Sequence, residues 1–421
     1  MAEDTVEKLI PLEEVNRTVL ELCDELTAAK VDLGDALGCV LAGDVLAPRD
    51  LPPFANAAMD GYAVRAQDTA SVPLELEVVG VLPAGQAPSE SVGPGTAIKI
   101  MTGAPIPDGA DSIVTVELTE PGSTLNKVRI LRQARPGEYI RLAGGDLRGG
   151  DIALLDGTVI GPAQTSLLAS VDAIRVTVHP KPRVGVLSTG DELIGGTAPL
   201  GPGQIRDSNR QGLLAMLQRD GFVGVDMGVC KDDRALVSSA IRNGIEQCDA
   251  MLTTGGVSMG EFDFVKVALR DLVAERGGEI RQLKIAIKPA KPLSFAVVPA
   301  EGRRAVPVFG LPGNPVSSLV SYQLFALPAL RKMAGWRSPL QRRLPAIAAD
   351  DFKRRPDGKL HLLRVIAAMG PEGRIIVRSA GPQGSHQLKA LAESNALALI
   401  RDGTGVLAGE SLQILLLGLL E

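Results

Sequence analysis

The chain has 421 residues, a formal net charge of −5, 45% hydrophobic residues and only 3% aromatics. That length holds roughly two to four domains with ample core. An acidic balance excludes a general nucleic-acid binder, which needs a basic surface to displace counterions, so an anionic ligand must be held by local groups.

Residues 11–26 predict an amphipathic helix, with Val15, Val19, Leu22 and Leu26 on one stripe. From Asp50 to about Arg141 the β-prone runs 74–81, 96–101, 112–117 and 127–131 alternate with Pro/Gly turns. That is the pattern of a small β domain. Helical periodicity returns at 162–171, so the flanks of the β region are expected to form one domain into which it is inserted. Residues 182–334 alternate strand and helix. Strands are predicted at 183–187, 222–229 and 250–254, and 280–288 and 293–298 are expected as a further pair. The last strand is 306–310, and residues 316–334 are the last helix. Asp207 or Ser208 caps one intervening helix, and Asp232 or Asp233 the next. The alternation predicts a doubly wound, largely parallel α/β sheet. After Trp336 short strands and turns predict a β-barrel-like end. The expected α/β multidomain chain therefore divides into 1–50 with 142–178 (mixed), 51–141 (inserted β), 179–335 (central α/β) and 336–421 (C-terminal β).

Four cysteines without a CxxC pair and three scattered histidines make a zinc site or a disulfide framework unexpected. No signal core or membrane-length apolar run is read. The expectation is a reduced, soluble, cytoplasmic protein with no membrane or nucleic-acid partner.

In an open α/β sheet, ligands bind beyond the carboxyl ends of the strands. The first predicted strand leads to Ser188-Thr189-Gly190-Asp191-Glu192, and the second to Asp232-Asp233. The third leads to Gly255-Gly256-Val257-Ser258 with Asp263 at the next helix, the fourth to Lys288-Pro289-Ala290-Lys291, and the last to Pro312-Gly313-Asn314-Pro315. The glycine turn before a helix suits either an ordinary connection or an anion cradle. The acids offer hard oxygen ligands, which favour Mg²⁺, while glycine amides and lysines supply an anion-binding half. Lys284 and Lys288, four apart on a predicted strand, are expected to share one face. Together these suit a nucleotide phosphate bridged by Mg²⁺. No Walker A loop or GxGxxG is present. In the N-terminal half, Met59-Asp60-Gly61, Met101-Thr102-Gly103 and Arg141 through Asp146 equally suit a D-G turn, a threonine cap and a surface loop. Composition does not choose between those readings and a site.

Taken together, FANAAMDGYAV (54–64), IMTGAPIPDGAD (100–111), VLSTGDEL (186–193), TTGGVSMGEFD (253–263), LKIAIKPAKP (283–292) and GLPGNPVSS (310–318) resemble the molybdopterin molybdenumtransferase family, the MoeA proteins and the E domain of gephyrin. The motifs occur in the family's order. The resemblance implies a four-domain homodimer whose site is shared between subunits. It implies a reaction on adenylylated molybdopterin and molybdate that inserts molybdenum and releases AMP with Mg²⁺. Partner proteins would include the molybdopterin adenylyltransferase and molybdoenzyme maturation factors. Carried over by position, Asp60, Thr102, Asp146, Glu192, Asp232 and Asp263 would be catalytic, with Glu192, Asp232 and Asp263 also the metal side. Arg141, Ser188, Thr189, Gly190, Asp191, Asn209, Gly255, Gly256, Ser258, Lys284, Lys288, Pro312, Gly313 and Pro315 would bind substrate. Ala57, Gly145 and Ala290 depart from the family's usual Ser, Glu and Gly. A related adenylyltransferase would lack the inserted β region that carries Asp60 and Thr102.

Overall fold

A computed structural model describes residues 9–255 and 264–420. Compactness divides them into two units, one built from Lys30–Leu37 with Leu41–Thr177 and the other from the remaining described residues. Each has its own core.

The first helix, α1 (Leu12–Glu21), belongs to the larger unit, where it buries Leu12, Val15 and Val19. In the smaller unit a six-stranded sheet is built from β1 (Gly61–Val64), β2 (Leu74–Leu82), β3 (Thr96–Ile100), β4 (Ser112–Thr115), β5 (Thr119–Pro121) and β6 (Lys127–Ile130), in the order β4-β1-β3-β2-β6-β5. Successive side chains alternate between faces. Ala63, Ile98 and Ile113 therefore enter one apolar cluster, while Val64, Ala97 and Val114 enter the other. Both faces are covered along β1, β3 and β4, which are mostly buried, whereas β2 and β6 alternate buried and exposed residues. The helix α2 (Pro162–Ser170) begins with proline at its first position, where no N–H is required.

The larger unit is organised by β7 (Arg183–Thr189), α3 (Ser208–Arg219), β8 (Val223–Cys230), α4 (Arg234–Gln247), β9 (Ala250–Thr254), α5 (Phe264–Arg276), β10 (Glu279–Lys284), β11 (Pro292–Ala300) and β12 (Arg303–Leu311). Their sheet order is β8-β7-β9-β12-β11-β10. The first four strands are mutually parallel, and β11 runs antiparallel to both β12 and β10. Helices cover both faces. Leu213 and Leu217 of α3 pack with Val184, Val186 and Leu252, while Val237 and Ile241 of α4 and Leu269 of α5 pack with Leu187 and Met251. The sheet is doubly wound. Because β8 lies on one side of β7 and β9 on the other, the winding reverses between the carboxyl ends of β7 and β9.

Two sequence expectations change here. Lys284 and Lys288 do not share a strand face. Lys284 ends β10 opposite Pro292, and one more bond, from Ile285 N–H to the Lys291 carbonyl at 2.8 Å, follows it. The chain then leaves the sheet, and Ile287–Lys288 pairs instead with Leu360 and His361. The last helix is also interrupted. Pro315–Ser321 (α6) and Leu327–Met333 (α7) flank a π-helical turn over Tyr322–Ala326, since Pro328 withdraws one amide donor from the ladder.

Beyond α7, β13 (Leu344–Ala348), β14 (Leu360–Met369), β15 (Ile375–Ser379), β16 (Ala396–Ile400) and β17 (Ser411–Leu416) close into a barrel, in the order β14-β15-β13-β17-β16 and back to β14. Closure removes the exposed edges that an open sheet would leave. Among the described residues no helix is long and apolar enough to cross a membrane. Cys23, Cys39, Cys230 and Cys248 are free thiols.

Candidate functional site

The crevice at the reversal between β7 and β9 is narrow. Gly255 has φ +94, and a Cβ there would lie 2.3 Å from the Thr189 carbonyl oxygen. Glycine is required for that approach. The strand β7 reaches Thr189, further than the sequence suggests, so Ser188 and Thr189 are buried within it and the loop opens at Gly190. Gly190 N–H donates to the Cys230 carbonyl at 3.1 Å, which joins the ends of β7 and β8.

The acids gather on this loop pair. Asp233 is the cap of α4, accepting from Leu236 N–H at 2.9 Å. The Asp232 backbone N–H instead donates to Asp191 at 3.2 Å. Burial pushes the Asp232 carboxyl above its usual range, and the like charges of Asp191 and Glu192 push it further. Crowded carboxylates of this kind suit a hard divalent cation, which relieves their repulsion. Among the described residues no three such side chains are spaced to hold a metal. Gly256, Ser258 and Asp263 lie outside the described residues.

The next layer comes from α3. Asn209 Nδ2 donates to Thr254 Oγ1 and to the Gly313 carbonyl, both at 2.8 Å, linking the end of β9 to the loop after β12. In that loop Pro312 presents its carbonyl to Thr254 Oγ1 at 3.5 Å, and Pro315 opens α6. The side-chain oxygens of Thr189, Thr253 and Asn209 are buried without a partner among the described residues. Such atoms at a ligand edge are ready to pair with a bound molecule.

Beside this edge lies a basic cleft of about 1020 Å³, lined by Lys288, Pro289, Ala290 and Lys291 on one side and by Lys353, Arg355 and Lys359 of the barrel region on the other. Lys284 is not among its lining residues. Behind its wall, Arg364 is fully buried. Its Nη2 donates to the carbonyls of Pro382 (2.9 Å) and Gly384 (3.2 Å), while Nε and Nη1 have no partner among the described residues. Burial pushes this guanidinium's pKa down. A buried charged fork with two open donors matches an oxyanion. Sequence reasoning missed Arg364 and the barrel lysines. The available signal was an arginine inside the apolar run Leu362-Leu363-Arg364-Val365, on the strand face it shares with Leu362.

In the smaller unit three motifs converge. Thr102 donates its backbone N–H (2.7 Å) and its hydroxyl (2.6 Å) to Asp60 Oδ1. These bonds hold the exposed Asp60 carboxyl below its ordinary range. Gly61 makes the turn possible, because a Cβ there would fall 2.1 Å from the Val114 carbonyl oxygen. Ala57 accepts from Gly103 and donates to Ala104, and Ala58 donates to Tyr139. Arg141 lies opposite Asn56 in a two-residue ladder. Asp60, Thr102 and the Arg141 strand thus attach to one backbone stretch. Asp146 is held elsewhere, its N–H donating to the Leu51 carbonyl at 3.0 Å.

Three family profiles match the chain: "MoeA N-terminal region (domain I and II)" over residues 10–171, "Probable molybdopterin binding domain" over 185–332, and "MoeA C-terminal region (domain IV)" over 345–417. Molybdopterin molybdenumtransferase 2 of Mycobacterium tuberculosis is 38% identical over 96% of this chain and 98% of its own length. Molybdopterin molybdenumtransferase of Haemophilus influenzae is 36% identical over 91% of this chain and 92% of its own. The crystal structure of the molybdopterin biosynthesis MoeA protein from Pyrococcus horikoshii OT3 superposes with a TM-score of 0.77 at 30% identity, covering 97% of this chain and all of that one.

Proposed function

The chain belongs to the MoeA family of molybdopterin molybdenumtransferases, and from that premise we propose how its residues divide the reaction. It is a transferase of molybdenum cofactor biosynthesis. Its substrates are molybdopterin, in adenylylated form, and molybdate. A water oxygen bonds to phosphorus as the phosphoanhydride P–O bond breaks and AMP leaves, and molybdenum bonds to the two dithiolene sulfurs as one molybdate oxygen departs as water with their two protons.

The observation that carries the division of labour is the crevice at Thr189 and Gly255, with the acidic loops Asp191-Glu192 and Asp232 on one side and the basic cleft on the other. The nucleotide lies at the acidic side. Glu192 and Asp232, with Asp263, would hold Mg²⁺ there, and a bound Mg²⁺ supplies charge neutralisation on the anhydride. The glycine amides of Gly255 and Gly256 and the hydroxyls of Thr189 and Ser258 orient the phosphates, while Gly190, its own N–H spent on the Cys230 carbonyl, shapes the loop beside them. Ser188 acts from beneath, since its hydroxyl is committed to Asp207. Molybdate is held by Lys288 from the basic cleft and by Lys284 from the end of β10 outside its lining, with Arg364 as a further donor and Pro312 and Pro315 shaping the adjoining loop. Asp60, Thr102, Arg141 and Asp146 come from the second subunit of a homodimer working in the cytoplasm.

Purified protein supplied with adenylylated molybdopterin, molybdate and Mg²⁺ is expected to release AMP. Adenylylation of molybdopterin from ATP would point instead to the adenylyltransferase. Asp263→Ala is expected to stop AMP release, and normal turnover in that variant would overturn its role.

A further inference from the structure

We infer that Asp207 and Arg210 are positioning residues for the substrate edge, acting through the first turn of α3. The inference rests on the functional reading above and extends it to residues that the reaction itself does not touch. Asp207 is the cap of α3, accepting from Arg210 N–H at 3.3 Å. The same oxygen accepts from Ser188 Oγ at 2.8 Å. Its other oxygen accepts from Arg210 Nε at 2.6 Å. Arg210 Nη1 then reaches the Asp226 carboxylate on β8. One residue along, Asn209 holds Thr254 and Gly313. A single helical turn therefore ties β7, β8, β9 and the loop after β12 together beneath the crevice.

The chemistry of each bond limits what the edge can do. A carboxylate only accepts, so the Ser188 proton is committed to Asp207 and the hydroxyl cannot rotate to donate elsewhere. Arg210 is buried with carboxylates on two sides, an arrangement in which removing one partner leaves an uncompensated charge. Asn209 uses both amide hydrogens, which fixes which way its amide faces. Next to these held groups stand the Thr189 and Thr253 hydroxyls, which have no partner among the described residues.

The test uses the full-length enzyme with Asp207→Asn, Ser188→Ala, their double variant, and Asp226→Asn, whose carboxylate is half exposed and whose loss leaves Arg210 paired with the buried Asp207. Each is assayed for AMP release and for AMP binding by calorimetry. Positioning requires Asp207→Asn to raise the KM for adenylylated molybdopterin and the Kd for AMP about tenfold, the scale of one lost charged hydrogen bond, with kcat changed far less. The double variant should lose little more than Asp207→Asn alone, and Asp226→Asn should move KM in the same direction. A fall in active fraction or melting temperature with KM and Kd within twofold of wild type, in both Asp207→Asn and Asp226→Asn, would overturn it. Wild-type protein that binds AMP without releasing it from adenylylated molybdopterin would sink the functional reading alone, because the Kd comparison still decides the clamp.

Discussion

Thr102 and Asp60, 42 residues apart, meet through two hydrogen bonds from one residue to a single carboxylate oxygen. The hydroxyl and the amide converge because β1 and β3 are antiparallel neighbours, with Gly61 opposite Ile100. Their lowered carboxyl pKa has a definite sign. Stability from this contact is present above the ordinary value of 3.8 and is lost as pH falls through the lower folded value. Thr102→Val keeps the amide and removes the hydroxyl. A carbon-detected NMR titration of Asp60 is expected to move upward in that variant, with AMP release falling about tenfold or more. An unmoved titration would mean that the hydroxyl bond does not form in solution.

Asp232 has the opposite shift. Its folded pKa is raised, so the associated stability is fully present below about 3.8 and is lost as pH rises through the folded value. Asp191→Asn removes one of the like charges. Urea midpoints at pH 4 and pH 7 should show the variant gaining on wild type at pH 7 and not at pH 4. Mg²⁺ should stabilise wild type more than Asp191→Asn at pH 7.

Arg364→Met tests the buried guanidinium. An apolar side chain of similar length removes a charge with two open donors, and such replacements are often neutral or stabilising. Without oxyanion the variant is expected to match or exceed wild type in urea. Molybdate at about 100 times the wild-type Kd should stabilise wild type by about 2.7 kcal/mol and stabilise Arg364→Met, which keeps the lysines, clearly less. Equal stabilisation of both would remove Arg364 from the oxyanion role.

Gly255→Ala places a methyl against the Thr189 carbonyl in a left-handed backbone. It is expected to cost about 1–3 kcal/mol and to reduce AMP release by at least tenfold through the displaced crevice. Gly34→Ala, which meets nothing within 4 Å, is the control and should change stability by no more than about 0.5 kcal/mol.

The order of elements was legible along the chain because apolar periodicity is local. Periods near two and near 3.6 mark strands and helices wherever the tertiary structure takes them. The alternation over residues 182–334 duly became a doubly wound sheet, and the Gly255 turn sits at its reversal. The inserted β region and the C-terminal barrel were legible for the same reason. Contacts across many residues were not. That Asp207 holds Ser188, or Asn209 holds Gly313 across 104 residues, depends on which strands become neighbours. Lys284 and Lys288 parted because the first closes the pairing with β11 while the second pairs with His361 of the barrel region, a fact of register and not of spacing. Arg364 looked like any strand arginine until the outer face of its barrel strand was covered by packing in the larger unit, leaving two of its nitrogens without a partner among the described residues. Local pattern determined which elements form and roughly where each ends. Register and closure alone decided which polar atoms meet, because those depend on the packing of whole layers.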